Sequence, residues 1–264
     1  MKPIAIDLFC GLGGWTEGLL AEGYDVIGFD IERHEYGDAK YPAQMVIQDV
    51  LTLHGKQFKD AALIVASPPC QEYSYMAMPW SLAKAKRARI LADAEERKRL
   101  TALFDACFRI QREACEAAGR HIPMVIENVR GAQEWVGRSR WAFGSFHLWG
   151  DVPALMPMTR AIKNNGGSWF NIGSPGQKVT GQNPDGRLVH IRDGHPHTKH
   201  LTNSAEHDGL KLGGSWFHEY RKGQGPRNHG SKSKGRKAAS AMIAKIPIPL
   251  ARYIGAVYKP TKIT

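Results

Sequence analysis

Four short apolar runs, each ending in polar or glycine-rich residues, organise the amino-terminal half of the chain. The first, from Ile4, leads into the glycine-rich stretch up to Gly14, where a helix is expected to begin, and such turns let backbone approach a ligand closely. The second, Tyr24-Asp-Val-Ile-Gly-Phe-Asp30, reads as a strand that ends in a carboxylate, the position from which βαβ folds hold a ribose. The third, residues 62–66, is unbroken enough for a strand buried on both faces. Pro68 and Pro69 then end the pairing and fix the backbone just before Cys70. The fourth, Pro123-Met-Val-Ile-Glu-Asn-Val129, carries Glu127 near its carboxyl end. This order predicts an α/β protein with an open, doubly wound sheet, which places its chemistry at the carboxyl ends of the strands. Asp7, Asp30, Cys70 and Glu127 are expected together on that edge.

Between these runs, Ile47-Gln-Asp-Val50 places Asp49 after a further short extended segment. Residues 94–118 read as one long helix. Residues 81–103 also have helix-forming composition, behind an aromatic stretch holding Tyr73, Tyr75, Met76 and Trp80. Beyond Trp149 the periodicity fades, and Gly, Asn, His, Lys and Arg mark turns and short elements over residues 151–235. The expected division is a catalytic domain over 1–150, a lobe over 151–235 and a returning helix over 236–264.

Two of these residues carry alternatives. Cys70 is either a nucleophile or a half-buried structural thiol, and Asp49 alone fits a solvated loop carboxylate as well as a ligand. The charge distribution points to a polyanion: residues 1–150 balance at −1 and residues 151–264 at +12, which together make the net +11 of the 264-residue chain. Such asymmetry is an electrostatic footprint for phosphate, or a merely basic surface. With 42% hydrophobic residues, no 18-residue apolar run and no secretory signal, a soluble cytoplasmic protein without a membrane partner is expected. The four cysteines are read as thiols, Cys107 and Cys115 packing within the long helix. Seven of the eleven histidines fall in 151–240. His195, His197 and His200 fit no common zinc spacing, so no metal is expected and contacts to DNA or solvent are.

Asp7-Leu-Phe-Cys-Gly-Leu-Gly-Gly14, Pro69-Cys-Gln71 and Glu127-Asn-Val129, in this order and spacing, resemble the cofactor, nucleophile and base-binding motifs of the DNA cytosine-5 methyltransferases. The resemblance covers residues 1–150 and the last twenty or so. It implies the mixed, Rossmann-like sheet of S-adenosylmethionine-dependent methyltransferases with a small irregular target-recognition lobe, acting as a monomer on double-stranded DNA. Cys70 would add to carbon 6 of a flipped cytosine, while Glu127 binds ring nitrogen 3 and Asn128 orders the loop beside it. S-adenosylmethionine would meet Asp7, Phe9, Gly11, Gly13, Gly14 and Pro69, with Asp30 on the ribose hydroxyls and Asp49 and Val50 at the adenine. Ile31 stands where the family often has a stacking aromatic. Gln71 and Ser74 would face DNA, and residues 72–99 resemble the loop that closes over the flipped base. The same motifs would serve an RNA cytosine-5 methyltransferase. A non-catalytic DNA-binding relative would have lost Cys70 or Glu127, and both are present.

The chain departs from the family in three places, the first being that it has no convincing copy of the motif that normally follows the recognition lobe. Val136-Gly-Arg-Ser-Arg140 keeps the Arg-x-Arg spacing without its leading glutamine, and makes Arg140, with Arg138 beside it, the expected contact to the base oxygen. The carboxyl-terminal segment lacks the family's Gly-Asn, and Ala244 or Lys245 takes the asparagine's place at the cofactor pocket. Lys245 there would pair with the cofactor's own carboxylate or with the extra carboxylate of carboxy-S-adenosylmethionine, in which case carboxymethyl would be transferred.

Overall fold

The computed structural model describes residues 2–36, 39–73, 80–143, 146–156, 180–182, 188–190, 241 and 244–260. Backbone contacts divide the chain into two compact units, Met1–Met158 with Ile246–Thr264, and Thr159–Lys245.

The first unit is built on β1 (Ile4–Leu8), β2 (Asp25–Asp30), β3 (Gln44–Ile47), β4 (Leu63–Ala66), β5 (Met124–Asn128), β6 (Trp141–Phe143) and β7 (Phe146–Gly150). They form one sheet in the order β3-β2-β1-β4-β5-β7-β6. Neighbours from β3 to β5 pair in parallel, and β7 runs antiparallel to both β5 and β6. The sheet is thus mixed and doubly wound, as expected. Alternate residues of its central strands feed two cores. Ile64 and Ala66 face one with Phe104 and Ile110, while Leu63 and Val65 face the other with Trp15 and Leu19.

Helices cover both faces. α1 (Gly14–Ala21) packs against α5 (Ile248–Tyr258), so closely that a Cβ on Gly18 would lie 2.4 Å from the Cβ of Ala251. The other face carries α3 (Ala94–Ala118), and a short α4 (Gln133–Val136) follows β5.

Two boundaries differ from expectation. Residues 81–103 are not one helix: α2 (Trp80–Ala92) ends where Asp93 caps α3, its carboxylate accepting the N–H groups of Glu95 and Glu96, a capping geometry that restarts a helix. Trp80 therefore opens a helix. The carboxyl-terminal segment is not one continuous helix: Ala241 and Ala244 are helical, Pro247 then occupies the N-cap of α5, and α5 begins at Ile248 with Pro249 in the first turn, where no N–H is needed.

In the second unit β8 (Thr180–Gln182) pairs antiparallel with β9 (Leu188–His190). Most of the expected recognition lobe, including His195, His197 and His200, lies outside the described residues. Among the described residues no helix is long and apolar enough to cross a membrane, and all four cysteines are free thiols.

Candidate active site

Strand register fixes which residues share the carboxyl edge. Leu8 pairs with Phe29 and with Ala66, and Ala66 pairs with Ile126. The next residues along these chains are Phe9, Asp30, Ser67 and Glu127. Asp7 is not on this edge: it pairs with Gly28 and Val65, two rows inside the sheet, because β1 continues through Leu8 before the turn begins.

The turn after β1 is wound by positive φ angles at Phe9 (59°), Gly11 (50°) and Gly13 (79°). Phe9, as a non-glycine residue, is strained there, a feature concentrated at functional sites. The Gly11 N–H donates to Asp30 Oδ2 at 2.9 Å and the Cys10 N–H to the Phe29 carbonyl at 3.1 Å, which ties the turn to β2. Gly13 caps α1 in the left-handed region, and a Cβ there would meet Pro42 Cδ at 2.6 Å. In front of Gly11 there is open space, with nothing within 4 Å of where a Cβ would be.

Beneath the turn lies a buried network that the sequence did not announce. Thr16 Oγ1 donates to Asp7 Oδ2 at 2.6 Å and also meets Tyr41 Oη at 2.7 Å. The Tyr41 ring fits because Gly28, opposite Asp7, has no side chain: a Cβ would lie 2.4 Å from the ring. Since the Thr16 proton goes to the carboxylate, Tyr41 donates to Thr16. Asp7 Oδ1 is buried without a hydrogen-bond partner. Burial pushes the Asp7 carboxyl up to about 7 against the Thr16 hydrogen bond, and the Asp30 charge adds to the rise. Burial likewise pushes up the Cys10 thiol.

Asp30 behaves in the opposite way. Burial raises its pKa, but His34 and the Gly11 and Glu32 N–H groups outweigh that and hold the carboxyl below its usual range. Its Oδ1 also accepts the Ile31 N–H at 2.8 Å. The Ile31 side chain is 69% exposed, with Ile47 and Leu51 half-exposed along the same rim. Asp49 caps a single 3₁₀ turn (Val50–Thr52) by accepting the Leu51 N–H at 2.9 Å, while Val50 is buried.

Two side chains brace the segment leading to Cys70. Trp15 Nε1 donates to Ser67 Oγ at 3.0 Å, and Asn128 Nδ2 donates to the Pro68 carbonyl at 2.9 Å. Cys70 itself is half-buried at the start of a turn closed by the Tyr73 N–H to the Cys70 carbonyl at 3.0 Å. Pro69 and Gln71 are exposed, and Ser74 lies outside the described residues. Glu127 is buried on β5. Neither Trp15 nor Ser67 was predicted, since their pairing crosses 52 residues and has no local signal.

Arg138 and Arg140 are exposed and precede β6. Trp141 stands opposite Leu148, which stands opposite Glu127, so two strand spacings and one further residue separate the Arg140 backbone from Glu127. The segment is nonetheless fixed. Trp149 Nε1 donates to the Gly137 carbonyl at 2.9 Å, and Ser139 is bonded to Gln133 Oε1 and to His147 Nδ1. Ala244 and Lys245 precede α5 and belong to the second unit.

Residues 4–100 match the model of the family described as C-5 cytosine-specific DNA methylase. The matched segment holds the glycine turn, Asp30, Asp49 and Cys70, and ends before Glu127. Among solved structures, the chain is similar to a protein assigned as a DNA modification methyltransferase within an E. coli prophage, at 22% identity over 50% of this chain and 33% of that one, TM-score 0.31. It is also similar to the S. pombe Dnmt2 methyltransferase, at 18% identity over 52% and 37%, TM-score 0.32. A third is the Entamoeba histolytica methyltransferase EhMeth, at 19% over 52% and 41%, TM-score 0.35. The similarity thus spans 33 to 41% of the length of these three proteins. No curated protein matches.

Proposed function

We propose that this chain, whose residues 4–100 match the model of the C-5 cytosine-specific DNA methylase family, is a DNA cytosine-5 methyltransferase using S-adenosylmethionine. The observation that carries this reading is the convergence on one sheet edge of the turn before α1, Asp30, the braced segment leading to Cys70, and Glu127.

The residues present fit the donor. Asp7 Oδ1 is a buried oxygen without a partner, suited to the electrostatic needs of a cationic ligand. The open space before Gly11 is proposed to take the methionine portion, with Phe9, Gly13, Gly14 and Pro69 assigned to the same site. Asp30 is proposed to accept the ribose hydroxyls. Asp49 and Val50, with the apolar rim of Ile31 and Leu51, would hold adenine. S-adenosylmethionine bound there supplies an electrophilic methyl.

This chain's residues do the rest. Cys70, ionised, forms a bond from Sγ to carbon 6 of a cytosine turned out of the duplex, because the base is unreachable inside the stack. Glu127 holds ring nitrogen 3, which gains electron density as the thiolate adds. Asn128 keeps the Pro68 carbonyl, and so the nucleophile, in place. Once carbon 5 has been alkylated, loss of its proton lets the electrons return to the ring and expel Cys70. Gln71 and Ser74 are proposed to face DNA, with the basic second segment, residues 151–264, meeting phosphate. A catalytic domain over 1–150, a recognition lobe over 151–235 and a returning segment over 236–264 remain the proposed division of labour, and the protein is proposed to act as a soluble monomer.

Transfer of labelled methyl from S-adenosylmethionine to duplex DNA, assayed by nucleoside composition, tests this. Label in 5-methylcytosine, lost in Cys70→Ser, is expected. Label only in RNA, or none, would overturn the reading. Competition with carboxy-S-adenosylmethionine, in wild type and Lys245→Ala, tests the donor. Wild type is expected to prefer the plain donor, and a preference for the carboxylated one that Lys245→Ala abolishes would replace it.

A further inference from the structure

The turn that begins at Asp49 is gripped from the opposite side by α3. Arg109 donates to the Leu53 carbonyl at 2.8 Å and to the Leu51 carbonyl at 3.2 Å, and both oxygens of Glu113 lie 3.1 Å from the same guanidinium. Glu113 Oε2 in turn accepts the Gly55 N–H at 2.6 Å, with His54 Nδ1 3.5 Å away. Burial pushes the Glu113 carboxyl up, but the Gly55 N–H and Arg109 outweigh it and keep it ionised below its usual range. The fit at Gly55 is close enough that a Cβ would lie 2.1 Å from the Ile110 carbonyl. The Leu51 peptide is the link. Its N–H goes to Asp49 Oδ1 and its carbonyl to Arg109, so the helix holds the cap that orients the Asp49 carboxylate.

The turn needs outside support. It spans only Val50–Thr52, Leu51 is half-exposed, and its own bonds are Thr52 to the Asp49 carbonyl and Leu53 N–H to the Val50 carbonyl. Such a 3₁₀ segment is weak alone. A planar, fork-shaped guanidinium that spans two carbonyls while paired to a carboxylate fixes direction as well as distance.

We propose that Arg109 and Glu113 are positioning residues for the nucleoside end of the donor site, acting through Leu51 on Asp49 and Val50. This rests on the assignment of Asp49 and Val50 to adenine made above. The methionine end is held separately, by α1 through Thr16 and Asp7. Loss of the Arg109 fork should therefore weaken adenosyl ligands without disturbing the nucleophile, which is braced by Trp15 and Asn128.

The test measures binding of S-adenosylhomocysteine and 5′-methylthioadenosine by calorimetry, with steady-state constants for donor and DNA. For Arg109→Met the expected result is roughly tenfold weaker binding of both ligands and a matching rise in donor KM. The kcat at saturating donor and KM for DNA should stay within about twofold. Arg109→Lys, which keeps one charged donor, should recover part of the loss, and Glu113→Gln should fall between. Donor KM unchanged in Arg109→Met, or donor KM, DNA KM and kcat all worsening together, would overturn the proposal. Wild type failing to bind either adenosyl ligand would instead remove the donor-site assignment beneath it. If Arg109→Met does not fold, the Arg109→Lys and Glu113→Gln comparison decides by the same criteria.

Discussion

Asp7 and Asp30 are carboxylates on neighbouring strands, both largely shielded from water, yet the protein moves their ionisation in opposite directions. Asp7 accepts one hydroxyl, keeps one oxygen without a partner and rises to about 7. Asp30 stands two rows further out, receives N–H groups from the turn and its own strand end, has His34 nearby, and falls below its usual range. Burial is the largest influence on both, and only at Asp30 do the donors outweigh it. A carboxylate met by backbone N–H groups stays ionised, and one met by a single hydroxyl in an apolar surround does not. In the proposed donor site this makes Asp30 the ionised acceptor.

The largest effect should come from making Asp7 unable to ionise. Its folded pKa lies above the unfolded 3.8, so the folded protein keeps a proton that the unfolded chain releases. That stabilisation is complete below pH 4 and is lost as pH rises through 7. Relative to wild type, Asp7→Asn should gain on the order of 4 kcal/mol in unfolding free energy between pH 4 and 8. Denaturant titrations at both pH values measure it, and a constant gap would remove the distinction from Asp30. Next in size, Asp30→Ala should weaken S-adenosylhomocysteine about a hundredfold, through the lost acceptor and the released Gly11 N–H. Because the Asp30 pKa is depressed, wild-type affinity should hold down to acid pH as far as Asp30 is concerned. A change near pH 7 that is absent in Asp7→Asn would belong to Asp7. Smaller still, Thr16→Val removes the one hydroxyl donor of Asp7 and should cost about 1–3 kcal/mol of stability at neutral pH, visible as a lower Tm.

How much of this could be foreseen follows from the range of each interaction. Strands such as Leu63–Ala66 and the helix Ala94–Ala118 are legible because apolar runs and periodicity are local. The break at Asp93 was also written locally, as an Asp followed by two glutamates, but helix-forming composition on both sides concealed it. The edge that gathers Asp30 and Glu127 follows from strand order. The offset of Asp7 does not, since it depends on where β1 stops pairing. Least legible are Tyr41 reaching Thr16 across Gly28, Trp15 on Ser67, and Arg109 on the Leu51 and Leu53 carbonyls. Each joins residues distant in sequence through a gap that only packing creates, and no spacing rule encodes that.

The central claim is that Cys70 becomes covalently joined to carbon 6 of a cytosine. It is tested most directly by incubating the protein with S-adenosylmethionine and duplex DNA carrying 5-fluorocytosine at a methylated site. Fluorine at carbon 5 cannot leave as a proton, so elimination stops with the bond intact. The account predicts a complex that survives denaturant for wild type and is absent in Cys70→Ser. A denaturant-stable complex of equal yield in Cys70→Ser, or none with wild type on DNA that it methylates, would contradict it.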